Sequence, residues 1–219
     1  MSLGNLSKCV EVLENDKDVV LCGSGKRHID AEGLVIDTYD SAGLHLYNND
    51  TLERYKAFLD YFSVSFENAD FIMGLIRTDV LKQTSLIGNY TSADFTLLGE
   101  LILRGKFYVV NEPLYIRRIH HGTSCSLYNN QPELLKDVDS KDKIKYKSHA
   151  EIAKWYDPNG KVRYIPHFTW LNELIKSIKK EDFESGRKFQ LSLSSYKWFC
   201  NKFLFSVRRR ISKLIISKQ

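Results

Sequence analysis

Residues 94–121 read Asp94-Phe95-Thr96-Leu97-Leu98-Gly99-Glu100-Leu101-Ile102-Leu103-Arg104-Gly105-Lys106-Phe107-Tyr108-Val109-Val110-Asn111-Glu112-Pro113-Leu114-Tyr115-Ile116-Arg117-Arg118-Ile119-His120-His121. Leu97, Leu98, Leu101 and Ile102 recur at the spacing of one helical face, so this part is a helix with an apolar stripe. An acid opens it, and Thr91 to Asp94 has the spacing of a capping box. Gly105 ends the helix. Phe107–Val110 and Leu114–Ile119 then have strand composition and are divided by Asn111-Glu112-Pro113. The stretch leaves through Arg-Arg-Ile-His-His, a dense set of cations and imidazoles.

The flanking sequence alternates in the same way. Leu6, Cys9, Val10 and Leu13 mark a helix, and Val19–Cys22 a short buried strand. His28–Tyr39 predicts a hairpin turning at Asp30-Ala31-Glu32-Gly33. Thr51 is a plausible N-cap for a helix carrying Leu52, Tyr55, Phe58 and Leu59. Phe71–Arg77 predicts a strand, and Thr78 the cap of a short helix. Residues 127–148 are polar and loop-rich, and Trp155–Gly160 forms a turn. Phe168, Leu171, Leu174, Ile175 and Ile178 share one helical face. A last helix is expected from about Leu193 to Ile216. Interleaved strands and helices give an α/β class.

Bulk properties bound the function. A chain of 219 residues, 43% hydrophobic and 27% charged, can bury a core and is globular rather than disordered. Cys9, Cys22, Cys125 and Cys200 are scattered, without the paired spacing of a zinc site or a disulfide framework, as expected of reduced thiols in a cytosol. Met1–Asn5 hold no basic region followed by an apolar run, and no stretch has the length to cross a bilayer. The sequons at Asn5 and Asn89 are therefore chance matches. Charge is uneven. Nine basic residues and no acid lie between Gly186 and Gln219; nine taken from 32 leave 23 basic against 27 acidic residues elsewhere. A strongly basic tail on a slightly acidic body predicts an anionic partner for the tail.

Two chemistries compete at Asp94. A carboxylate there stabilises its own helix end. It can equally act as a general base, removing a proton from an attacking hydroxyl. Arg117 and Arg118 offer guanidinium forks that suit phosphate oxygens, and His120 or His121 can ligate a divalent metal. Strand alternation places Arg118 and His120 on one face, the pair expected to serve a metal or diphosphate, and Arg117 with Ile119 on the other. A charged edge strand is the other reading of the same residues.

Taken in order, several segments resemble the acceptor half of a family 2 glycosyltransferase with the GT-A fold. Leu6–Glu14 looks like the helix after the family's acidic metal motif, and Asp18–Cys22 like the strand after it. Ile29–Gly33 looks like its hairpin, and Met73–Arg77 like the strand before the acceptor loop. Gly88-Asn89-Tyr90-Thr91-Ser92 and Asp94 look like that loop and its acid. The resemblance implies a partial GT-A mixed sheet over 1–125, a loop-rich and helical extension over 126–185, and a basic amphipathic tail over 186–219. It implies transfer of a sugar from a nucleotide-sugar donor to a saccharide or lipid-linked acceptor in cell-surface polysaccharide synthesis. Asp94 would be the catalytic base, Arg117 and Arg118 would bind diphosphate, and His120 would reach the metal, Mg or Mn. The family's opening strand, uridine-binding acid and Asp-x-Asp motif have no counterpart in the 219 residues. The chain is thus expected to be a truncated or split product, inactive alone, needing an N-terminal half or self-association. The alternative is a non-catalytic module docking through its tail.

Other motifs are set aside. Gly23-Ser24-Gly25-Lys26 lacks the earlier glycine and the Ser/Thr of a phosphate loop, and a hairpin follows it rather than a helix. Asp137-Val138-Asp139 falls after the Arg/His cluster, in a charged loop. His28, His45, His149 and His167 have no partner in sequence. In the tail, Tyr196, Phe199, Cys200, Phe203, Val207, Ile211 and Leu214 lie near one helical face, away from most of the basic residues. Such a helix packs on its own domain or rests on an anionic membrane. Nucleic acid is a poor fit, since no recognition module accompanies the charge. The expected location is the cytoplasm, peripherally at the inner membrane face.

Overall fold

The computed structural model describes residues 3–39, 45–64, 66–118 and 166–216. It is a mixed α/β structure built on one four-stranded mixed sheet. The described elements are α1 (Leu3–Asn15), β1 (Val19–Ile29), β2 (Val35–Tyr39), α2 (Thr51–Val64), β3 (Leu75–Ile76), α3 (Thr78–Leu81), α4 (Ala93–Arg104), β4 (Lys106–Arg118), α5 (Pro166–Lys180) and α6 (Ser185–Ile216). Short 3-10 turns lie at His45–Tyr47 and Phe66–Met73. The expected loop at 127–148, the turn at 155–160, and His120 and His121 fall outside the described residues.

β1 is the organising strand. It pairs antiparallel with β2 and β3 and parallel with β4. It runs well past the expected Cys22, through Gly23-Ser24-Gly25, because β4 supplies a ladder along nearly its whole length. β4 is one strand, not two. Ser24 lies opposite Val110 and Lys26 opposite Tyr115, so Asn111–Leu114 bulge out between them. A bulge is where a proline is tolerated, which accommodates Pro113 without ending the strand. The hairpin forms as expected, with Gly33 at φ 97° in its turn. Phe71–Met73 is not strand: these residues close the 3-10 turn, and only Leu75–Ile76 pair with β1.

The core lies where α2, α4, α5 and the first half of α6 meet. Tyr55, Phe58, Phe62, Phe95, Leu98, Leu101, Leu174 and Leu191 are fully buried there. The helices expected in the extension 126–185 and the tail 186–219 supply part of this core, through Trp170, Leu174, Ile178, Leu191 and Trp198. A smaller cluster packs α1 through Cys9 and Leu13 onto Val19, Cys22 and Val110.

Buried polar groups tie the elements together. Arg54 is 6% exposed and donates to the carbonyls of Asn49, Ile102 and Leu103, so α2 closes the C-terminal end of α4. The Ile102 and Leu103 carbonyls belong to the last turn of α4 and have no partner within it, and a guanidinium suits them in both charge and geometry. At the same end Gly105 lets α4 approach β1: a Cβ there would stand 2.2 Å from Val20 Cγ1 and 2.6 Å from the Asp18 carbonyl oxygen. Lys106 N–H then donates to that carbonyl at 2.8 Å, and β4 begins.

Candidate functional site

The parallel pair β1 and β4 sets the geometry. Their carboxyl ends lie side by side, with Lys26 opposite Tyr115 and His28 opposite Arg117. In α/β sheets ligands bind outside the carboxyl ends of parallel strands. Here Asp70, from the 3-10 turn, is held by both strands. Lys26 Nζ donates to Oδ2 at 3.0 Å, and Arg117 donates to Oδ1 at 3.3 Å and to Oδ2 at 3.4 Å. All three side chains are largely buried, at 11%, 19% and 12% exposure for Lys26, Asp70 and Arg117. Two cations on one carboxylate leave the group net positive.

A small cleft adjoins this cluster. Its enclosed part, about 30 Å³, is lined by Asn5, Gly23, Ser24, Lys26, Tyr61, Asp70, Phe71, Met73, Gly74 and Tyr115. Burial and the nearby Asp70 charge push the Tyr61 phenol up to about 12, so it stays a hydrogen-bond donor. His28 is buried beside the same strands. Burial lowers its pKa, the Lys26 and Arg117 charges add to this, and Asp37 and Asp70 oppose it. His28 is therefore held neutral within the positive cluster.

Asp94 opens α4 as expected, but not through a capping box. The N-cap is Ser92, in the left-handed region at φ 58°, and its side chain makes no capping hydrogen bond. The Asp94 carboxylate instead accepts from the Phe95 N–H at 2.9 Å. The loop before it is fixed from two sides. Trp170 Nε1 donates to the Thr91 carbonyl at 2.7 Å, and the Tyr90 hydroxyl meets Thr96 Oγ1 at 2.7 Å. Burial raises the Asp94 pKa, backbone hydrogen bonds oppose the rise, and repulsion from Asp70 adds to it. Asp94 does not line the cleft.

The two arginines part company. Arg117 faces the cluster. Arg118 donates to the backbone carbonyls of Asp30 at 3.1 Å and Ala31 at 2.6 Å, so it ties the hairpin turn to β4. The face expected to serve a diphosphate was that of Arg118 and His120; the cation that joins Asp70 and Lys26 is Arg117. Nothing in the sequence marks Asp70, and Lys26 stands out there only as the end of the Gly23-Ser24-Gly25-Lys26 run, which is no phosphate loop. Among the described residues no group of three or more His, Cys, Asp or Glu is placed to hold a metal ion. Asp70 is already neutralised by two cations. The described residues therefore do not fit a divalent ion.

The shift at Asp94 has a signed consequence for stability. A carboxyl raised on folding contributes stability that is whole below its ordinary value near pH 4, and loses it as pH rises through the folded value. Asp94→Asn removes that cost while keeping the acceptor for the Phe95 N–H. The variant's melting temperature relative to the parent should be lowest near pH 4 and climb toward neutrality before levelling. A flat difference across the series, followed by calorimetry, would show that Asp94 is solvated like an ordinary surface acid.

Compared with known protein families, curated proteins and solved structures, the chain matches none.

Proposed function

We propose that the chain carries the acceptor side of a sugar-transfer site of the family 2 glycosyltransferase type. The observation that carries this reading is the placement of Asp94. A carboxyl of raised basicity opens a helix behind a loop pinned from both flanks, and it feels the charge of Asp70, the carboxylate that Lys26 and Arg117 share at the carboxyl ends of two parallel strands. An inverting sugar transfer needs these two elements opposed. The acceptor hydroxyl gives its proton to the carboxylate as its oxygen bonds to the anomeric carbon. The bond from that carbon to the diphosphate breaks, and the leaving group carries the electron pair away. Asp94 takes the proton in this scheme. Arg117 and Lys26 supply positive charge toward the departing diphosphate, while Arg118 holds the hairpin beside it. The donor is a nucleotide sugar and the acceptor a saccharide or lipid-linked saccharide at a cytoplasmic face.

Saturation-transfer NMR of the purified chain against a panel of mono- and oligosaccharides tests the reading. At least one saccharide should receive saturation from the protein, and Asp94→Leu should abolish the transfer without lowering the melting temperature by more than a few degrees. A panel that is silent throughout, or binding indifferent to Asp94→Leu, would overturn the assignment and leave a non-catalytic interaction module.

A further inference from the structure

α6 carries two apolar stripes, and only one of them is used by the core. Leu191, Ser195 and Trp198 follow helical spacing and are at most 4% exposed. Rotated to the opposite side of the helix are Phe189, Leu193, Tyr196 and Phe203, with Leu204 beside them, at 68%, 41%, 50%, 43% and 53% exposure. At 3.6 residues per turn these five fall within an arc of about 100°. Phe168 of α5 extends the same surface, its ring 4.8 Å from Phe199 and 6.5 Å from Phe203. A contiguous exposed apolar face of this kind marks a docking surface.

Charge selects the occupant. No acid occurs from Gly186 onward, and nine basic residues do, eight of them within α6 itself; of these, Arg187 pairs with Asp50 and Lys188 donates to the Lys179 carbonyl, so the match to a partner rests on the charge further along the helix. A second copy would bring the same acid-free helix against this one and set like charges together. An anionic surface is matched on both counts: aromatic and aliphatic side chains enter it, and basic residues meet its charge. Among the described residues no helix is long and apolar enough to cross a membrane, so the helix would lie on the surface.

We propose that α6 seats the protein on an anionic lipid surface through Phe189, Leu193, Tyr196 and Phe203, with basic residues beyond Lys188 at the headgroups. The inference is independent of the sugar-transfer reading, since none of these residues belongs to that site. Flotation of the full chain with vesicles of neutral phosphatidylcholine, and of the same lipid with one-third phosphatidylglycerol, tests it at low and high salt. Binding to the anionic vesicles should exceed that to neutral ones by at least about tenfold and weaken as salt rises. Phe189→Ser with Leu193→Ser and Phe203→Ser should reduce it at least about tenfold, and Arg208→Glu with Arg209→Glu and Arg210→Glu should do the same. The substituted side chains of the first set lie outside the core, so its melt should fall by only a few degrees, which separates loss of docking from loss of fold. In a Cys125→Ser background, an environment-sensitive dye on the exposed Cys200 should shift to the blue on binding. Equal binding to both vesicle types, or retention by the serine variant, would overturn the proposal. So would a parent dimer that the serine variant dissociates without vesicle binding by either, or binding to a soluble polyanion alone.

Discussion

Phe95→Ala should unfold the protein at a temperature lower by roughly 6–20 °C, the largest single effect expected from one side chain in this fold. Phe95 is fully buried where four helices converge. Its ring lies 5.4 Å from Phe58 and 5.3 Å from Phe62 of α2, 6.2 Å from Trp170 of α5, and 5.0 Å from Trp198 of α6. Truncation removes the burial of an aromatic ring and leaves a cavity that four rigid neighbours cannot collapse into. Such changes cost about 3–5 kcal/mol. The position also reports on organisation. If α5 and α6 were an appendage, the loss would be confined to their docking, and the sheet would melt as before. Because Trp170 and Trp198 share the pocket with Phe58 and Phe62, tryptophan fluorescence and far-ultraviolet circular dichroism should instead shift together along a urea titration. Two separated transitions, or a loss below about 1 kcal/mol, would mean that the C-terminal helices pack independently of α4.

What the sequence could disclose follows from the range of the forces involved. Helical stripes such as Leu97, Leu98, Leu101 and Ile102 are legible because the period is local. The hairpin at Asp30–Gly33 is legible because its turn needs a residue such as Gly33. The full length of β1 is not legible, because Gly23-Ser24-Gly25 has the composition of a loop. Its strand conformation comes from pairing with β4, more than eighty residues away. Phe71–Met73 has the pattern of a strand because a short apolar run is the same string in a strand and in a buried turn. Alternation correctly put Arg117 and Arg118 on opposite faces. Which face meets the cleft depends on Asp70, and nothing local marks an acid 47 residues upstream as the partner of Arg117. Ser92 shows the same limit: the spacing from Thr91 to Asp94 fits a capping box, yet the tethering of the loop by Trp170 lies beyond any local motif.

Asp70→Asn should be the most costly substitution in the candidate site. Its carboxylate is shared by Lys26 and Arg117, and all three side chains are mostly shielded from water. Removing one partner of a fully buried pair costs about 3–5 kcal/mol, because the remaining charge stays desolvated. Asp70 retains 19% exposure, and two long cations can swing partly into water, so about 2–4 kcal/mol is expected here. The cost should belong to the ensemble rather than to one contact. Lys26→Met alone leaves Arg117 on Asp70 and should cost less. Lys26→Met combined with Asp70→Asn should cost less than the sum of the two, since Lys26→Met removes a cation that Asp70→Asn would strand. A coupling energy below about 0.5 kcal/mol in this cycle would reduce the cluster to independent surface groups. Function should move the opposite way to stability. With the carboxylate gone, Lys26 and Arg117 offer their charge to an incoming anion, so a nucleoside diphosphate should bind the folded Asp70→Asn protein more tightly than the parent. The like-charge repulsion that helps raise Asp94 also disappears, so its pKa should fall. Tighter diphosphate binding together with a weaker base at Asp94 would link both halves of the proposed reaction to one aspartate. Unchanged affinity and an unchanged Asp94 titration by NMR would confine Asp70 to holding the strands together.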